Sequence, residues 1–308
     1  RYLMPWSGFA PRVPLPAMLR AALLLAALLR SSALRARRGL PGVELPGIAL
    51  KGSARPMPAI GFGTCCRKTS RGPALVNSTK SFLRLGGRLI DTAQKYQNHK
   101  DLKRAIAESG VPREELWITS KANTITQNLT REGVVQAVDD SLKELGLDYL
   151  DLMLLHRPAA TPELRAEQWR GLIDAQAAGK VRSIGVSNYE QHMLEGIINA
   201  TGVAPAIDQI SFNPGNARRT RRTARWCLDH GIAVTAYASV REQTTKDAAV
   251  EISKAHGATP AQVLLRWALD QGVAVIPGAT SEEHIKDNLS TPDFRLTPEE
   301  AQRLEASR

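Results

Sequence analysis

The chain is short of the residues that announce several function classes. Three cysteines, Cys65, Cys66 and Cys227, in 308 residues form neither a C-x-x-C pair nor a zinc spacing, and they are too few for a disulfide framework. A reducing compartment is therefore the default. The six histidines are scattered and no H-E-x-x-H occurs, so no metal site is expected. Aromatic residues make up only 5% of the chain. The basic run "RRTRR" at 218–222 has none interleaved, which favours a solvated helix face over nucleic-acid binding. The apolar run at 21–29 is far too short to span a bilayer.

Carboxylates are missing from residues 1–43, which carry seven arginines; Glu44 is the first acid. The net charge of +11 sits largely there, because the rest of the chain sets 34 basic residues against 30 acidic ones. That balance is ordinary for a soluble domain. An arginine-flanked apolar run followed by an acid-free Ser/Arg tail reads as a targeting leader over 1–43. The tail favours a mitochondrion or plastid and the apolar run a secretory route; an amphipathic helix packed on the domain is the bland alternative. Without a working leader the cytoplasm is expected. The chain opens on Arg1, so Met18 is an alternative start. Asn77, Asn128, Asn199 and Asn288 open N-x-S/T sequons, read here as chance occurrences.

From Met57 onward, short apolar runs alternate with amphipathic stretches. The strand candidates are "MPAIGFGT", "RLIDTA", "LWITSK", "YLDLMLLH", "VRSIGVS", "APAIDQIS", "IAVTAYAS" and "VAVIPGA". Between them lie helices such as "TREGVVQAVDDSLKELG", with Val134, Val135, Val138, Leu142 and Leu145 on one face. Near-continuous apolar strands joined by helices imply a parallel sheet covered on its outside. The G-x-G-x-x-G turn of an open dinucleotide-binding sheet is absent, since "GFGTCC" stops at its second glycine. The expected fold is α/β: a single (β/α)8 TIM barrel over 44–308 with a short N-terminal hairpin, preceded by the leader. Such a barrel gathers function at the C-terminal ends of its strands.

At those ends stand Asp91, Lys121, His156, Ser187, Asn188 and Gln209. Each alone has an ordinary structural reading, as a helix cap, a solvated cation or a satisfied buried histidine. Together they suggest chemistry. A tyrosine is a poor acid near neutral pH, with an unperturbed pKa of about 10. A lysine within reach favours its anion, and an aspartate keeps that lysine charged and in place. Asp91, Tyr96 and Lys121 supply this set, with His156 able to orient a carbonyl.

The motifs "MPAIGFGT", "LIDTAQKYQN", "VPREELWITSK", "LDLMLLHRP", "GKVRSIGVSNY" and "TAYAS", in this order and spacing, resemble the aldo-keto reductases over roughly residues 44–308. The resemblance implies reduction of aldehydes and ketones by NADPH, with NADH the alternative, and without a metal. It implies Tyr96 as general acid, Lys121 and Asp91 as its tuning pair and His156 as the carbonyl-orienting residue. Ser187, Asn188 and Gln209 would hold the nicotinamide carboxamide and Tyr237 would stack on its ring. Gly63, Thr64 and Ser239, and in the last segment Thr280, Ser281, His284 and Asn288, complete the implied cofactor site. The expected partner is a small carbonyl substrate, with no nucleic acid and no membrane for the mature domain, and the expected state is a monomer.

The chain departs from the family pattern in places. NADP-preferring members carry a Lys-Ser pair and an Arg after strand eight, where this chain has Gly278, Ala279 and His284. Histidine carries its charge only conditionally. Arg157 and Cys65 stand where aromatics are common, Asn213 where a histidine is frequent, and Ala238 where a serine hydroxyl faces the pyrophosphate. With the family's long C-terminal specificity loop also lacking, an open, weakly discriminating pocket is expected. Arg157 is read either as favouring anionic substrates or as a solvated rim residue. A rival acid pair, Tyr96 and Lys100 in "YQNHK", resembles that of the short-chain dehydrogenases, whose Gly-rich loop is missing here. A second rival is a dinucleotide-binding regulatory protein on the same barrel.

Overall fold

A computed structural model describes residues 46–240 and 246–306; the expected leader lies outside these residues. The chain enters through an antiparallel hairpin of β1 (Gly47–Ile48) and β2 (Met57–Pro58), with Ile48 opposite Met57. There follow β3 (Gly61–Gly63), α1 (Gly72–Arg84), β4 (Leu89–Asp91), α2 (His99–Ser109), β5 (Trp117–Ala122) and α3 (Arg131–Leu145). Next come β6 (Leu150–Leu155), α4 (Pro162–Ala177), β7 (Val181–Ser187), α5 (Gln191–Thr201), β8 (Ile207–Ser211) and α6 (Ala217–Asp229). The last described elements are β9 (Ala233–Tyr237), α7 (Lys246–His256), α8 (Pro260–Leu269), β10 (Ala274–Val275), α9 (Glu282–Leu289) and α10 (Pro298–Ala306).

Strands β3 to β10 pair in sequence order, all parallel. The sheet returns on itself through a parallel bridge between Ile60 and Val275, with the Val275 amide donating to the Ala59 carbonyl at 2.8 Å. The expected barrel with its hairpin is thus observed. The last strand is shorter than "VAVIPGA" suggests, in part because Pro277 has no N–H to offer a neighbour.

Local chemistry sets the helix ends. Thr130, Thr161 and Thr259 each accept a hydrogen bond from a backbone amide of the first turn, and Thr259 with Gln262 completes a capping box. At the end of α3, Gly146 takes φ 66°, a left-handed conformation that costs glycine nothing. Of the apolar face read for α3, Val134, Val138 and Leu145 are buried, while Val135 and Leu142 are half-buried at its margin.

Two cores divide the apolar residues. One lies between sheet and helices. The other fills the barrel interior with Leu89, Trp117, Leu152, Leu154 and Ile207, joined from below by Leu50 and Met57 of the hairpin region. Side chains alternate between the faces of a strand. The next inward positions after Leu89, Leu154 and Ile207 are therefore Asp91, His156 and Gln209, and two steps past Thr119 comes Lys121. This alternation raises a polar layer on an apolar floor.

One outward position breaks the pattern. Asp208 is fully buried among the apolar residues outside the sheet, beside Tyr189 and Cys227, and neither carboxylate oxygen has a well-formed hydrogen bond. Burial drives its pKa well above the usual carboxylate range, and the nearby Tyr189 amide offsets this only in part. A folded-state pKa raised above the unfolded value of about 3.9 contributes stability that is present at low pH and lost as pH rises toward the raised value. Asp208→Asn removes the buried charge. Urea unfolding is expected to show the variant more stable than the parent by at least about 1 kcal/mol at pH 8, with a smaller gain at pH 5. An asparagine variant no more stable at pH 8 would contradict this account.

Candidate active site

The inward-facing acid at the end of β4 organises the centre. Asp91 accepts the Lys121 ammonium on Oδ1 at 2.5 Å and the Gln209 amide on Oδ2 at 2.8 Å. Lys121, at 0% exposure, also donates to the Thr92 carbonyl at 2.9 Å. Burial alone would pull this ammonium's pKa down; the charge of Asp91, then Tyr96 and the hydrogen bonds to both, carry it above the ordinary lysine value. Lys121 is thus fixed as a cation.

Tyr96 ends a short 3-10 turn (Gln94–Tyr96) and Gln97 closes it in the left-handed region at φ 53°. The Lys121 ammonium lies 5.1 Å from the centre of the Tyr96 ring. The His156 ring meets that of Tyr96 edge-on, with centroids 5.5 Å apart and planes at 79°. Burial pushes the Tyr96 phenol above its ordinary pKa; the charge of Lys121 pulls it back, and that of Asp91 pushes it up again. The net direction differs from the expectation that lysine makes this phenol more acidic. Lysine does act in that sense, but desolvation outweighs it.

His156 is buried, and its Nδ1 has no hydrogen-bond partner among the described residues. Burial first, then the charges of Lys121, Arg157 and Lys95, lower its pKa to about 3. The imidazole is neutral at physiological pH, suited to hydrogen bonding and not to proton release.

The remaining expected residues fall into two groups. Ser187, Asn188 and Tyr237 form one chain: the Tyr237 hydroxyl donates to Asn188 Oδ1 at 2.7 Å, and Asn188 Nδ2 to Ser187 Oγ at 2.9 Å and to the His156 carbonyl at 3.3 Å. Asn188 holds this position at φ 63°, a left-handed conformation that asparagine tolerates better than most residues. Gln209 donates one N–H of its side-chain amide to Asp91. A buried carboxylate without enough donors is costly, and this amide supplies one.

The second group lies beyond β10. Ser281 caps α9 by accepting from the His284 amide at 3.2 Å; Thr280 and His284 are exposed and Asn288 half-buried. Among the described residues, no hydrogen bond or ion pair joins this group to Tyr96. Ser239 is buried and turned onto its own chain, donating to the Ala236 carbonyl at 3.4 Å. Gly63 donates from its amide to the Pro277 carbonyl at 3.1 Å, and a Cβ there would overlap the Ile276 carbonyl, so only glycine fits. The place a side chain at Gly278 would take is filled by the Arg67 guanidinium.

Several supporting residues escape a reading of single motifs. Asn98, at 1% exposure, accepts from Thr92 Oγ1 at 2.6 Å and donates to the carbonyls of Thr64 and Ser70, each at 3.1 Å. Thr64 Oγ1 donates in turn to the Asp91 carbonyl at 2.9 Å. This net ties the Tyr96 loop to the loop after β3. Its position two residues beyond the tyrosine, amid polar neighbours, is the one hint in the sequence. Lys100, the rival partner for Tyr96, is exposed in the first turn of α2. Cys65 and Cys66 are neighbours in the loop after β3, with Cys66 in the left-handed region at φ 69°.

Beside this centre a cavity of about 830 Å³ opens along the rim, lined among others by Arg157, Asn188, Ser211, Arg219, Arg222 and Tyr237. Arg157 is exposed there, as a solvated rim residue would be. Among the described residues, no helix is long and apolar enough to cross a membrane.

Known proteins resemble the chain over most of its length. The chain is 37% identical over 254 residues to the methylglyoxal reductase DkgB of Escherichia coli O157:H7, covering 81% of this chain and 92% of that protein. It is 34% identical over 256 residues to the 9,11-endoperoxide prostaglandin H2 reductase of Trypanosoma cruzi, covering 81% and 87%. A Bombyx mori aldo-keto reductase solved in complex with NADP superposes with a TM-score of 0.78 at 32% identity, over 86% of this chain and 93% of that one. An aldo/keto reductase from Brucella melitensis does so with a TM-score of 0.79 at 30% identity, over 86% and 100%. Residues 59–308 match the aldo/keto reductase family, and the chain belongs to that family.

Proposed function

We propose that the protein is an NADPH-dependent reductase of small aldehydes and ketones in which Tyr96 delivers the proton. The observation that carries this reading is the buried Asp91–Lys121 pair set against a half-buried Tyr96, with a neutral His156 edge-on to the same ring. Similarity to a methylglyoxal reductase and to a structure holding NADP supports the substrate class and the cofactor. The residues fit such a dinucleotide. Asn188 and Tyr237 present polar groups on the lining of the rim cavity beside the Asp91–Lys121 centre.

The bound dinucleotide supplies the hydride. The protein's own part is proton delivery and charge control. Tyr96 holds its proton until a carbonyl oxygen accumulates negative charge within hydrogen-bonding reach. As the proton leaves, the Lys121 ammonium stabilises the phenolate, and Asp91 and the Thr92 carbonyl keep that ammonium from following it. Neutral His156 donates a hydrogen bond that orients the carbonyl without competing as an acid. The low-dielectric floor strengthens each of these interactions.

Tyr96→Phe is expected to lower turnover of an aldehyde such as methylglyoxal by about 10² to 10⁴-fold while calorimetry still detects NADPH binding. Binding without turnover in the parent protein as well would favour a dinucleotide-binding regulatory role instead. Lys100→Ala is expected to retain activity and Lys121→Ala to lose it; the reverse pattern would overturn the assignment of Lys121.

The pH dependence follows from the two shifted groups. Tyr96 loses its proton only above its already high ordinary pKa, and His156 gains one only near pH 3. The kcat/KM for reduction should therefore stay flat from about pH 5 to about pH 9. A bell centred near pH 7 would mean that another group supplies the proton.

A further inference from the structure

Arg67 lies in the loop between β3 and α1 and is half-buried. One guanidinium N–H group, on Nη2, donates to the Gly63 carbonyl at 3.1 Å. Its Nε is shut away from solvent without a hydrogen-bond partner, and no carboxylate among the described residues pairs with it. Burial lowers its pKa, as it does for any cation withdrawn from water without a counter-charge. A partly buried guanidinium in this state is an unsatisfied site for an anion.

The position of this group says which anion. The guanidinium occupies the space that a side chain at Gly278 would fill, at the exit of β10 where Gly63 is hydrogen-bonded to Pro277. The segment leading into α9 brings no fixed cation of its own: it reads Gly278, Ala279, Thr280 and Ser281, followed by two acids, Glu282 and Glu283. The Ser281 hydroxyl is engaged in capping α9, and Glu282 is paired with Arg84. A phosphate arriving here would meet backbone amides, hydroxyls and two acids, of which Glu282 already holds Arg84. It would also meet the guanidinium of the β3 loop, which has no carboxylate of its own among the described residues.

We propose that Arg67 is the phosphate-binding cation of the dinucleotide site, reaching across the closure of the barrel to fill the place left by the absent side chain at position 278. This inference rests on the reading that the chain binds NADPH. A guanidinium offers two parallel N–H groups to a phosphate, which suits it to either the 2'-phosphate or the bridging pyrophosphate. Gly278 is then a specificity feature, since a larger residue would evict the guanidinium.

Isothermal titration of the full chain with NADPH and with NADH tests this without recourse to turnover. Arg67→Ala is expected to weaken NADPH binding by about tenfold or more. A loss confined to NADPH assigns Arg67 to the 2'-phosphate, and an equal loss with NADH assigns it to the pyrophosphate. Arg67→Gln, which keeps the stem and its packing, should show the same loss, so a folding defect in the alanine variant does not decide the matter. The double variant Arg67→Ala with Gly278→Lys, which places a cation in the vacated space, should regain affinity. Parent-like binding of both dinucleotides by Arg67→Gln, within about twofold, would overturn the proposal while leaving the reductase reading intact. A parent protein that binds neither dinucleotide would overturn both.

Discussion

The ion pair of Lys121 and Asp91 is the interaction on which the rest of the site depends. Two charges at the centre of a barrel lose most of their hydration, and their attraction repays that loss only if the other donors and acceptors around them are satisfied. Here Asp91 has Gln209 on its second oxygen and Lys121 has the Thr92 carbonyl. The pair is therefore a closed unit contributed by three strands and a loop, and it fixes where positive charge sits relative to Tyr96. Removing either partner would strand the other charge over an apolar floor, a loss that typically destabilises by about 3–5 kcal/mol.

The acid itself is not on a strand. Tyr96 rides a loop, and a loop residue is only as well placed as the contacts that hold the loop. Asn98 supplies those contacts, joining Thr92 on its own side to Thr64 and Ser70 across the way. None of these side chains needs to touch a substrate. The division of labour is between an interior that sets charge and a polar net at the rim that sets position.

Much of the barrel was legible because parallel strands buried on both faces read as short apolar runs, and the polar breaks at their ends, Asp91, Lys121 and His156, fall at inward positions by simple alternation. Other features depend on contacts between distant segments and leave no local trace. Asp208 looks like one more polar break in "AIDQIS"; only the register, which turns Gln209 inward and so Asp208 outward, exposes it as a carboxylate among apolar neighbours. The direction of the Tyr96 shift could not be read from residue types, because it is a contest between burial and Lys121 that the depth of the site decides. Gln209 was legible as a site residue but not as a donor to Asp91. The leader expected over residues 1–43 falls outside the described residues.

The closure of the barrel shows how a departure from family pattern can carry its own compensation. Where β3 meets β10 the ladder is thin, a bridge at Ile60 and Val275 continued by Gly63 on Pro277. The loop after β3 and the segment after β10 are thereby held close, so a side chain from one can stand in the space belonging to the other. Glycine at 278 and arginine at 67 are coupled by that shared volume. Restoring a long side chain at 278 alone would displace the guanidinium, and losing Arg67 alone would leave the space without charge. Two substitutions that are each unfavourable singly can thus be tolerated together, because contact makes them non-additive. Residue types at position 278 alone are then a poor guide to cofactor preference in this chain; the charge has to be sought in three dimensions, across the barrel's closure.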